Sequence, residues 1–194
     1  MARDILIING HPDPSEERFC HALARSYASG ATAGGYDIQH LRVAALDFPW
    51  LAGADDFENR TPPQAIQAAQ DQIRRANHLV IVYPLWLGSM PAILKAFFEQ
   101  TFRPDFAFER TTKDWPKPGL AGRSARVVVT MGMPAPAYRW YYLAHSLKSL
   151  ERNILKFSGI KPVRETLIGG IGEIDQTQRQ RWLTRLETLG QRGL

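Results

Sequence analysis

Short apolar segments alternate with segments of helical periodicity along this chain, and this alternation limits the possible folds more than any other feature of the sequence. Three apolar segments, DILIIN, HLVIVY and ARVVVTM, are hydrophobic at successive positions, as strands buried on both faces of a sheet are. A more polar segment, which alternates Ile38 and Leu41 with polar residues, is typical of an edge strand. The strands that we predict are Asp4–Asn9, Tyr36–Val43, His78–Tyr83, Ala125–Met131 and Lys161–Ile168.

Helical patterns fill the intervals between these strands. Apolar residues at i, i+3 and i+4 spacing predict a first helix from Ser15 or Glu16 to about Ser29. Thr61, two prolines and Gln64 predict a second helix with Thr61 as its N-cap. The other predicted helices are Pro91–Phe102, Tyr138–Phe157 and a C-terminal helix capped by Asp175 and Gln178. The longest irregular stretches are predicted at Ala44–Arg60 and Arg103–Gly122.

Strands joined by helices indicate an α/β protein with a doubly wound parallel sheet, which we expect to form one domain over residues 1–194. In such sheets ligands bind at the carboxyl ends of the strands, where the strand order reverses. This rule selects three loops for chemistry, the ones that follow Asn9, Tyr83 and Met131.

The composition disfavours several classes of protein. Hydrophobic residues make up 44% and charged residues 22% of the chain, an ordinary soluble balance, and no apolar run approaches the roughly 20 residues of a membrane-spanning helix. One cysteine and no signal-peptide pattern fit a reducing cytoplasm. The net charge is +5, but basic and acidic residues interleave, so we expect a solvated basic surface and no nucleic-acid partner.

The first loop, INGHPDPSEERF, precedes a predicted helix N-terminus, which offers unpaired N–H groups and a partial positive charge to an anion. Ser15 can cap the helix or bind a phosphate oxygen, and His11 can donate an imidazole N–H to the same group. The loop has neither G-x-G-x-x-G nor a P-loop pattern, so neither a Rossmann dinucleotide site nor a P-loop NTPase is supported. A plain strand–helix loop with a Ser cap and a structural histidine is the alternative. We expect the three acidic residues of the loop to face solvent.

The second loop begins with YPLWLG and presents an apolar, aromatic lip at the edge of the sheet. Such a lip suits a planar conjugated ring that stacks and accepts a few backbone hydrogen bonds. Pro84 and Gly88 indicate that the backbone is specially shaped here, although Trp86 and Leu87 would also fit the core of an ordinary loop.

The third loop, TMGMPAPAYRWYY, supplies a hydroxyl at Thr130 and a close-approach glycine at Gly132, which suit the edge of a ring or its side chain. The aromatic residues that follow fit a core, a subunit interface or a substrate pocket, and their spacing does not choose among these. The sequence has no GxSxG, HExxH or CxxC motif, and its histidines are dispersed, so we expect no metal site. A phosphate loop and a ring-binding lip without a protein nucleophile indicate a cofactor that performs the chemistry.

Three segments resemble a known family. ILIINGHPDPSEERFCHALA, YPLWLGSMPAILKAFFEQTF with the trailing DFAF, and VVVTMGMPAPAY are similar to the flavodoxin-like NAD(P)H:quinone oxidoreductases, in the order and spacing of that family. The resemblance implies a flavodoxin-like three-layer fold whose five-stranded parallel sheet has the order 2-1-3-4-5. It also implies an enzyme that binds FMN or FAD, takes a hydride from NAD(P)H at flavin N5, and passes it to a quinone-like acceptor by a ping-pong mechanism.

The resemblance further assigns roles to individual residues. The positions that match the family's phosphate loop are His11, Ser15, Phe19 and Cys20, although the family often has Asn in place of Cys20. The positions that match its ring-binding segments are Pro84, Leu85, Trp86, Leu87, Thr130, Gly132 and Met133, and because methionines replace the usual residues at 131 and 133, contacts there should use the backbone. The positions that match its hydride-transfer pocket are Tyr138 and, with a spacing that differs by about one residue, His145, which would stabilise the negative charge of the reduced flavin.

Sites in this family form across a homodimer, so the resemblance implies a homodimer with Trp140, Tyr141, Tyr142, Phe106 and Phe108 at its interface. A rival reading is a flavin-binding regulatory subunit that docks on a membrane transporter. A response-regulator-like domain is a third reading, but the first strand ends in Asn-Gly-His, where that class would need clustered acidic residues.

Overall fold

The computed structural model describes residues 4–111 and 115–194, and the three central strands of its main sheet are almost entirely buried. The strands are β1 (Asp4–Asn9), β2 (Asp37–Arg42), β3 (His78–Pro84), β4 (Phe108–Glu109), β5 (Lys117–Pro118), β6 (Ser124–Thr130) and β7 (Val163–Ile168). The main sheet has the order β2-β1-β3-β6-β7, and all of its pairs are parallel. When only these strands are counted, the order is 2-1-3-4-5, so the prediction is confirmed. The short strands β4 and β5 form a separate antiparallel ribbon.

Helices cover both faces of the sheet. They are α1 (Phe19–Ala33), α2 (Ala54–Glu58), α3 (Gln64–Arg75), α4 (Ala92–Thr101), α5 (His145–Ser149) and α6 (Gln176–Gln191). Successive side chains of a strand point to opposite faces, so the apolar runs fill two cores at once. In β1, Ile5 and Ile7 pack with α1 and α6, whereas Leu6 and Ile8 pack on the face of α3 and α4.

Two glycines bring α1 and α6 into backbone contact. A Cβ atom on Gly30 would lie 1.9 Å from the carbonyl oxygen of Glu187, and one on Gly190 would lie 2.1 Å from that of Tyr27. Any larger residue at either position would push the helices apart, since close-packed backbones leave no space for it.

Two predicted helix starts are wrong. The first helix begins at Phe19 because residues 13–18 form turns: Ser15 N–H donates to Asp13 Oδ1 (2.8 Å), and Arg18 N–H donates to the Ser15 carbonyl (3.1 Å). Pro63, with ψ at 152°, stands at the N-cap of α3, so Thr61 does not cap that helix. By contrast, the predicted capping box of Asp175 and Gln178 begins α6 and is confirmed.

The predicted helix Tyr138–Phe157 is not continuous. It consists of a π-helical segment at Ala137–Tyr141, the helix α5, and a second π-helical segment at Leu150–Lys156. Leu143 and Ala144 separate the first two because both have left-handed backbones, with φ of 54° and 48°. The predicted long loop at Ala44–Arg60 likewise contains a 3₁₀ turn and α2.

Two sequence predictions reach residues outside the described ranges. Residues 1–3, at the start where we expect no signal peptide, are outside them, and so are residues 112–114 of the predicted excursion Arg103–Gly122. Within residues 4–111 and 115–194, no helix combines the length and the apolar content needed to cross a bilayer.

Candidate functional site

The three loops selected from the sequence lie side by side, because β1, β3 and β6 are neighbours in the sheet and end at the same edge. Backbone hydrogen bonds join them: Gly10 N–H donates to the Val82 carbonyl (2.8 Å), and Leu85 N–H donates to the Thr130 carbonyl (2.7 Å). At this edge of the sheet the first loop therefore lies next to the second, and the second lies next to the third.

Asn9, the last residue of β1, organises the first loop. Its side-chain oxygen accepts the backbone N–H of His11 (3.1 Å), and its amide nitrogen lies 2.6 Å from His21 Nδ1. An amide nitrogen can only donate, so His21 Nδ1 accepts and His21 Nε2 donates to the Asp13 carbonyl (2.9 Å). This buried network holds both ends of the His11–Asp13 turn.

His11 carries its hydrogen on Nε2. The Asp13 N–H donates to His11 Nδ1 (3.1 Å), which must therefore be unprotonated. Burial lowers the pKa of His11, and the neighbouring His21 ring lowers it further. The imidazole is consequently neutral at neutral pH, and its Nε2–H, which has no partner among the described residues, can donate to a ligand.

The acidic residues of the loop have structural roles, so the expectation that all three face solvent is only partly right. Asp13 is half-buried and ion-pairs with Arg18 (2.5 Å), and hydrogen bonds from Ser15 N–H and Arg18 hold its pKa below the usual range. Glu16 bridges Arg25 and Arg42 at the surface. The arginines pair with these two carboxylates, whereas Glu17 is exposed, as expected.

The N-terminus of α1 has no side-chain cap. Arg18 stands at the N-cap without a capping bond, and the first turn has no acidic residue. Ser15 does not cap the helix, and among the described residues its hydroxyl has no hydrogen-bond partner. The His21 N–H donates to the Arg18 carbonyl (2.9 Å), but the N–H groups of Phe19 and Cys20 remain available to an anion, with the positive end of the helix dipole behind them.

Phe19, the first residue of α1, is covered by a cation. The guanidinium of Arg179, from the first turn of α6, lies 5.2 Å from the Phe19 ring centroid and donates to the Ile171 carbonyl (2.8 Å). A positive charge therefore lies beside the uncapped helix end.

Cys20 joins the first loop to the third. Its sulfur lies 3.2 Å from Thr130 Oγ1 and is buried, and burial raises the pKa of the thiol to about 12. The group is a protonated, unreactive thiol whose sulfur contacts Thr130.

The second loop projects its apolar residues outward. Trp86 and Ser89 exchange two backbone hydrogen bonds (2.8 and 2.9 Å), which close a tight turn with left-handed backbones at Leu87 and Gly88. Leu87 is fully exposed and Trp86 half exposed, whereas Leu85 is buried. The Trp86 ring lies edge-on to His11, with 6.1 Å between the ring centroids, so the lip and the first loop face one cleft.

The third loop leaves open space at its glycine. A Cβ atom on Gly132 would meet nothing within 4 Å, while Met131 is buried and Thr130 is fully enclosed. The Met133 carbonyl accepts the Gly170 N–H (3.0 Å), so that carbonyl already has a partner within the fold.

Tyr138 and His145 occupy different environments. Tyr138 is fully buried, and its hydroxyl contacts Ser146 Oγ (2.7 Å) and the Leu147 N–H (3.2 Å), a placement that differs from the predicted pocket-lining role. His145 is exposed, and its Nδ1–H donates to the Tyr142 carbonyl (2.9 Å).

Sequence reasoning missed four polar residues of this site: Asn9, Arg18, His21 and Arg179. Asn9 could have been found, since it is the polar end of an otherwise apolar strand at the ligand edge. Arg179 could not, because only the fold brings α6 to the start of α1.

Comparison with known proteins supports the fold described above. A protein-family model whose description is "flavodoxin-like fold" matches residues 3–189 of this chain. An uncharacterized NAD(P)H oxidoreductase of Haemophilus influenzae is 27% identical over 180 residues, which cover 90% of this chain and 88% of that protein. FMN-dependent NADH:quinone oxidoreductase 1 of Hahella chejuensis is 35% identical over 94 residues, 48% of this chain and 43% of that protein.

A solved structure extends the likeness to three dimensions. The crystal structure of Smu.1420 from Streptococcus mutans UA159 is 26% identical, with a TM-score of 0.81 over 97% of this chain and 99% of that chain. The resemblance seen in the sequence is thereby confirmed, and the chain belongs to the flavodoxin-like fold family.

Proposed function

We propose that this protein is an FMN-dependent NAD(P)H:quinone oxidoreductase. The observation that carries the proposal is the uncapped N-terminus of α1, which lies beside the His11 Nε2–H and the apolar Trp86 lip. An anion site next to a ring-binding lip fits a phosphorylated cofactor with a planar ring. The FMN-dependent relative and the NAD(P)H oxidoreductase relative support the same reading.

The residues of the first loop would hold the phosphate. The N–H groups at the start of α1, the Ser15 hydroxyl and the His11 Nε2–H are donors, and Arg179 adds positive charge nearby. A doubly charged phosphate gains most from such donors because charge-assisted hydrogen bonds are roughly twice as strong as neutral ones. Phe19 contributes its N–H, and Cys20 contributes support for Thr130 rather than a side-chain contact.

The second and third loops would bind the ring. Pro84, Leu85, Trp86 and Leu87 would line one side of it, and Gly132 leaves the space for its other edge, with Thr130 and Met133 beside it. FMN, when bound, supplies the hydride-accepting and hydride-donating ring that no side chain of this chain provides. The apolar lip excludes water, which strengthens the electrostatic interactions inside the cleft.

His145 can add positive charge to the cleft only when its ring is doubly protonated. Its Nδ1–H already donates to the Tyr142 carbonyl, so the neutral ring offers only a lone pair at Nε2. Stabilisation of a developing negative charge by His145 therefore requires the imidazolium form, and the role assigned to it from the resemblance stands as part of this proposal.

A homodimer is the finer part of the proposal. Trp140, Tyr141 and Leu143 expose 73%, 81% and 60% of their surface beside the third loop, which is unusual for large apolar residues on one short segment. Phe106, also expected at an interface, is instead buried in the core and packed edge-on against Phe102. A second copy that covers Tyr141 and Tyr142 on this segment would complete the cleft.

The deciding experiment is reconstitution. We expect the protein to bind FMN with a yellow colour that NADH or NADPH bleaches without oxygen, and that a quinone such as menadione restores. Mass spectrometry of the released flavin identifies the cofactor, and sedimentation velocity measures the oligomeric state. A protein that takes up neither FMN nor FAD would contradict the proposal.

The lip can be tested separately. Trp86→Ala is expected to weaken FMN binding about tenfold, since base–aromatic or ring stacking contributes about 1–3 kcal/mol. Trp50→Ala is the matched control, because Trp50 is also exposed but lies outside the three loops. Equal affinities of the two variants would remove Trp86 from the site.

A further inference from the structure

The strand β7 lies at the edge of the sheet with one side unpaired. On its other side β7 pairs with β6: the Ala125 N–H donates to the Pro162 carbonyl and the Met131 N–H to the Ile168 carbonyl. In this register the backbone N–H and C=O groups of Arg164, Thr166 and Ile168 face β6. In a parallel pair the alternate residues point away. Val163, Glu165 and Leu167 therefore direct their N–H and C=O groups outward, and within the described chain these groups have no backbone partner.

This edge forms the floor of a groove. Two adjoining cavities, of about 740 and 280 Å³, lie along Val163–Leu167 and share Arg139, Trp140 and Glu165. One wall is the segment 139–151, which contributes the exposed Trp140, Leu143 and Lys148, and the other is α6, which contributes Trp182 and Arg185. We call this feature, with its floor Val163–Leu167 and these two walls, the β7 groove.

The two walls differ in chemistry. Arg164 projects from β7 to the same face as Thr166 and Ile168, which is the face that α6 covers. Arg164 and Arg185 therefore lie on the α6 side, whereas Trp140 and Leu143 lie on the opposite, apolar side. A strand laid on β7 would meet cations with alternate side chains and an apolar wall with the others.

The charge of the β7 groove is unbalanced. Its five cations are Arg126, Arg139, Lys148, Arg164 and Arg185, and its two anions are Glu151 and Glu165. Both glutamates are already paired, Glu165 with Arg139 (2.5 Å) and Glu151 with Lys156 (2.6 Å). In the part of the chain that the structure describes, Lys148, Arg164 and Arg185 form no ion pair.

The neighbouring cations also act on the buried Arg126. It donates to a backbone oxygen of Leu194 (2.7 Å) and to Thr166 Oγ1 (2.8 Å). Burial lowers the pKa of Arg126, and the repulsion of Arg164 and Arg185 lowers it further. Three guanidinium groups therefore converge where an added carboxylate would relieve their repulsion.

We propose that the β7 groove binds an extended acidic segment of a partner protein, which adds to the sheet as a strand beside β7. The outward backbone groups supply the pairing, and Arg164 and Arg185 select carboxylates at alternate positions. A second copy of this chain fits the groove less well, because its β7 would bring another Arg164 while its Glu165 is already paired with Arg139. The homodimer proposed above is expected to use Tyr141 and Tyr142, which do not line the groove. The inference does not depend on flavin binding.

The test uses synthetic peptides. A fluorescein-labelled peptide that alternates Val and Glu over six residues is expected to bind in fluorescence anisotropy, while the same peptide with Lys in place of Glu does not. Arg164→Glu is expected to weaken binding about tenfold or more, as loss and reversal of a close charge pair does. Arg152→Glu is the matched control, because Arg152 is exposed on the neighbouring segment but does not line the groove.

Backbone methylation distinguishes strand addition from simple charge attraction. N-methylation of alternate peptide nitrogens should abolish binding in one register only, since it removes ladder hydrogen bonds and leaves the charges. Equal binding of acidic and basic peptides, no response to Arg164→Glu, or indifference to methylation in either register would overturn the proposal. So would a shift of the sedimentation coefficient by Arg164→Glu alone, which would make the groove an interface between copies of this chain.

Discussion

The loop at residues 9–18 and the segment at residues 137–144 flank the same edge of the sheet, but they are built in opposite ways. The loop is polar, and Asn9, His11, His21 and Asp13 bond to one another in a largely buried network that leaves the His11 Nε2–H and the Ser15 hydroxyl free for a ligand. The segment is apolar and exposed, with π-helical turns and the left-handed residues Leu143 and Ala144.

The loop at residues 9–18 is therefore preorganised for a ligand, whereas the segment at residues 137–144 leaves apolar surface uncovered. A loop whose donors are fixed before a ligand arrives loses little entropy on binding, so the phosphate end is ready in the free protein. Exposed aromatic residues on a strained backbone gain stability only when something covers them. Substitutions in the loop and in the segment should therefore have different effects.

Asn9→Ala is expected to have the largest effect. It leaves His21 Nδ1 and the His11 N–H without partners in a buried network, and each such loss costs about 1–3 kcal/mol. Urea unfolding should show a loss of about 2–3 kcal/mol, together with weaker FMN binding. Asn153→Ala, which removes one exposed side-chain bond, is the control and should change stability little. A stable Asn9→Ala variant would mean that the loop is not preorganised by this network.

Tyr138→Phe tests whether that hydroxyl is structural or reactive. Its contacts with Ser146 and the Leu147 N–H predict a loss of about 1–2 kcal/mol in the free energy of unfolding, with kcat preserved. Stability and turnover should be measured on the same preparation. A large fall in kcat without a loss of stability would restore the pocket-lining role assigned from the resemblance.

Leu143→Gly should stabilise the exposed segment. A left-handed backbone costs an ordinary residue about 1–2 kcal/mol, and glycine avoids that cost. Leu143→Ala is the matched control because it removes the side chain but keeps the cost, so the glycine variant should be about 1 kcal/mol more stable than the alanine variant. Equal stabilities would show that the segment is not strained in the free protein.

The smallest effect is expected from acidification. Because the folded-state pKa of His11 is below its unfolded value, the unfolded chain binds more protons in that window. The contribution of neutral His11 to the free energy of unfolding is therefore fully present above its unfolded pKa of about 6.5, and it is lost as the pH falls through its folded pKa. His11→Gln should lose less stability than the wild type between about pH 7 and pH 5 in urea titrations. Parallel losses would contradict the neutral, buried His11.

The sequence predicted the framework better than the details of the site. Continuous apolar runs such as HLVIVY identify central parallel strands because burial on both faces permits few alternatives, and the sheet order followed from the resemblance. The start of α1 was misplaced because Asp13 uses the Ser15 N–H in a local turn, which competes with helix formation. The break at Leu143 had no signal, since neither glycine nor proline marks it.

The close contacts of Gly30 with Glu187 and of Gly190 with Tyr27 fix the position of the last helix, α6, against α1, the helix that follows the first loop. Gly30 is eleven residues from the start of α1. Its contact with Glu187 therefore lies about 16 Å along the helix from the free N–H groups at the N-terminus of α1. Because a helix is stiff over this length, a shift at its C-terminal half also moves its N-terminus. The packing of α6 against α1 therefore helps to set the position of the N-terminus of α1. A larger side chain at either glycine would shift α1 and so change a site that neither glycine contacts.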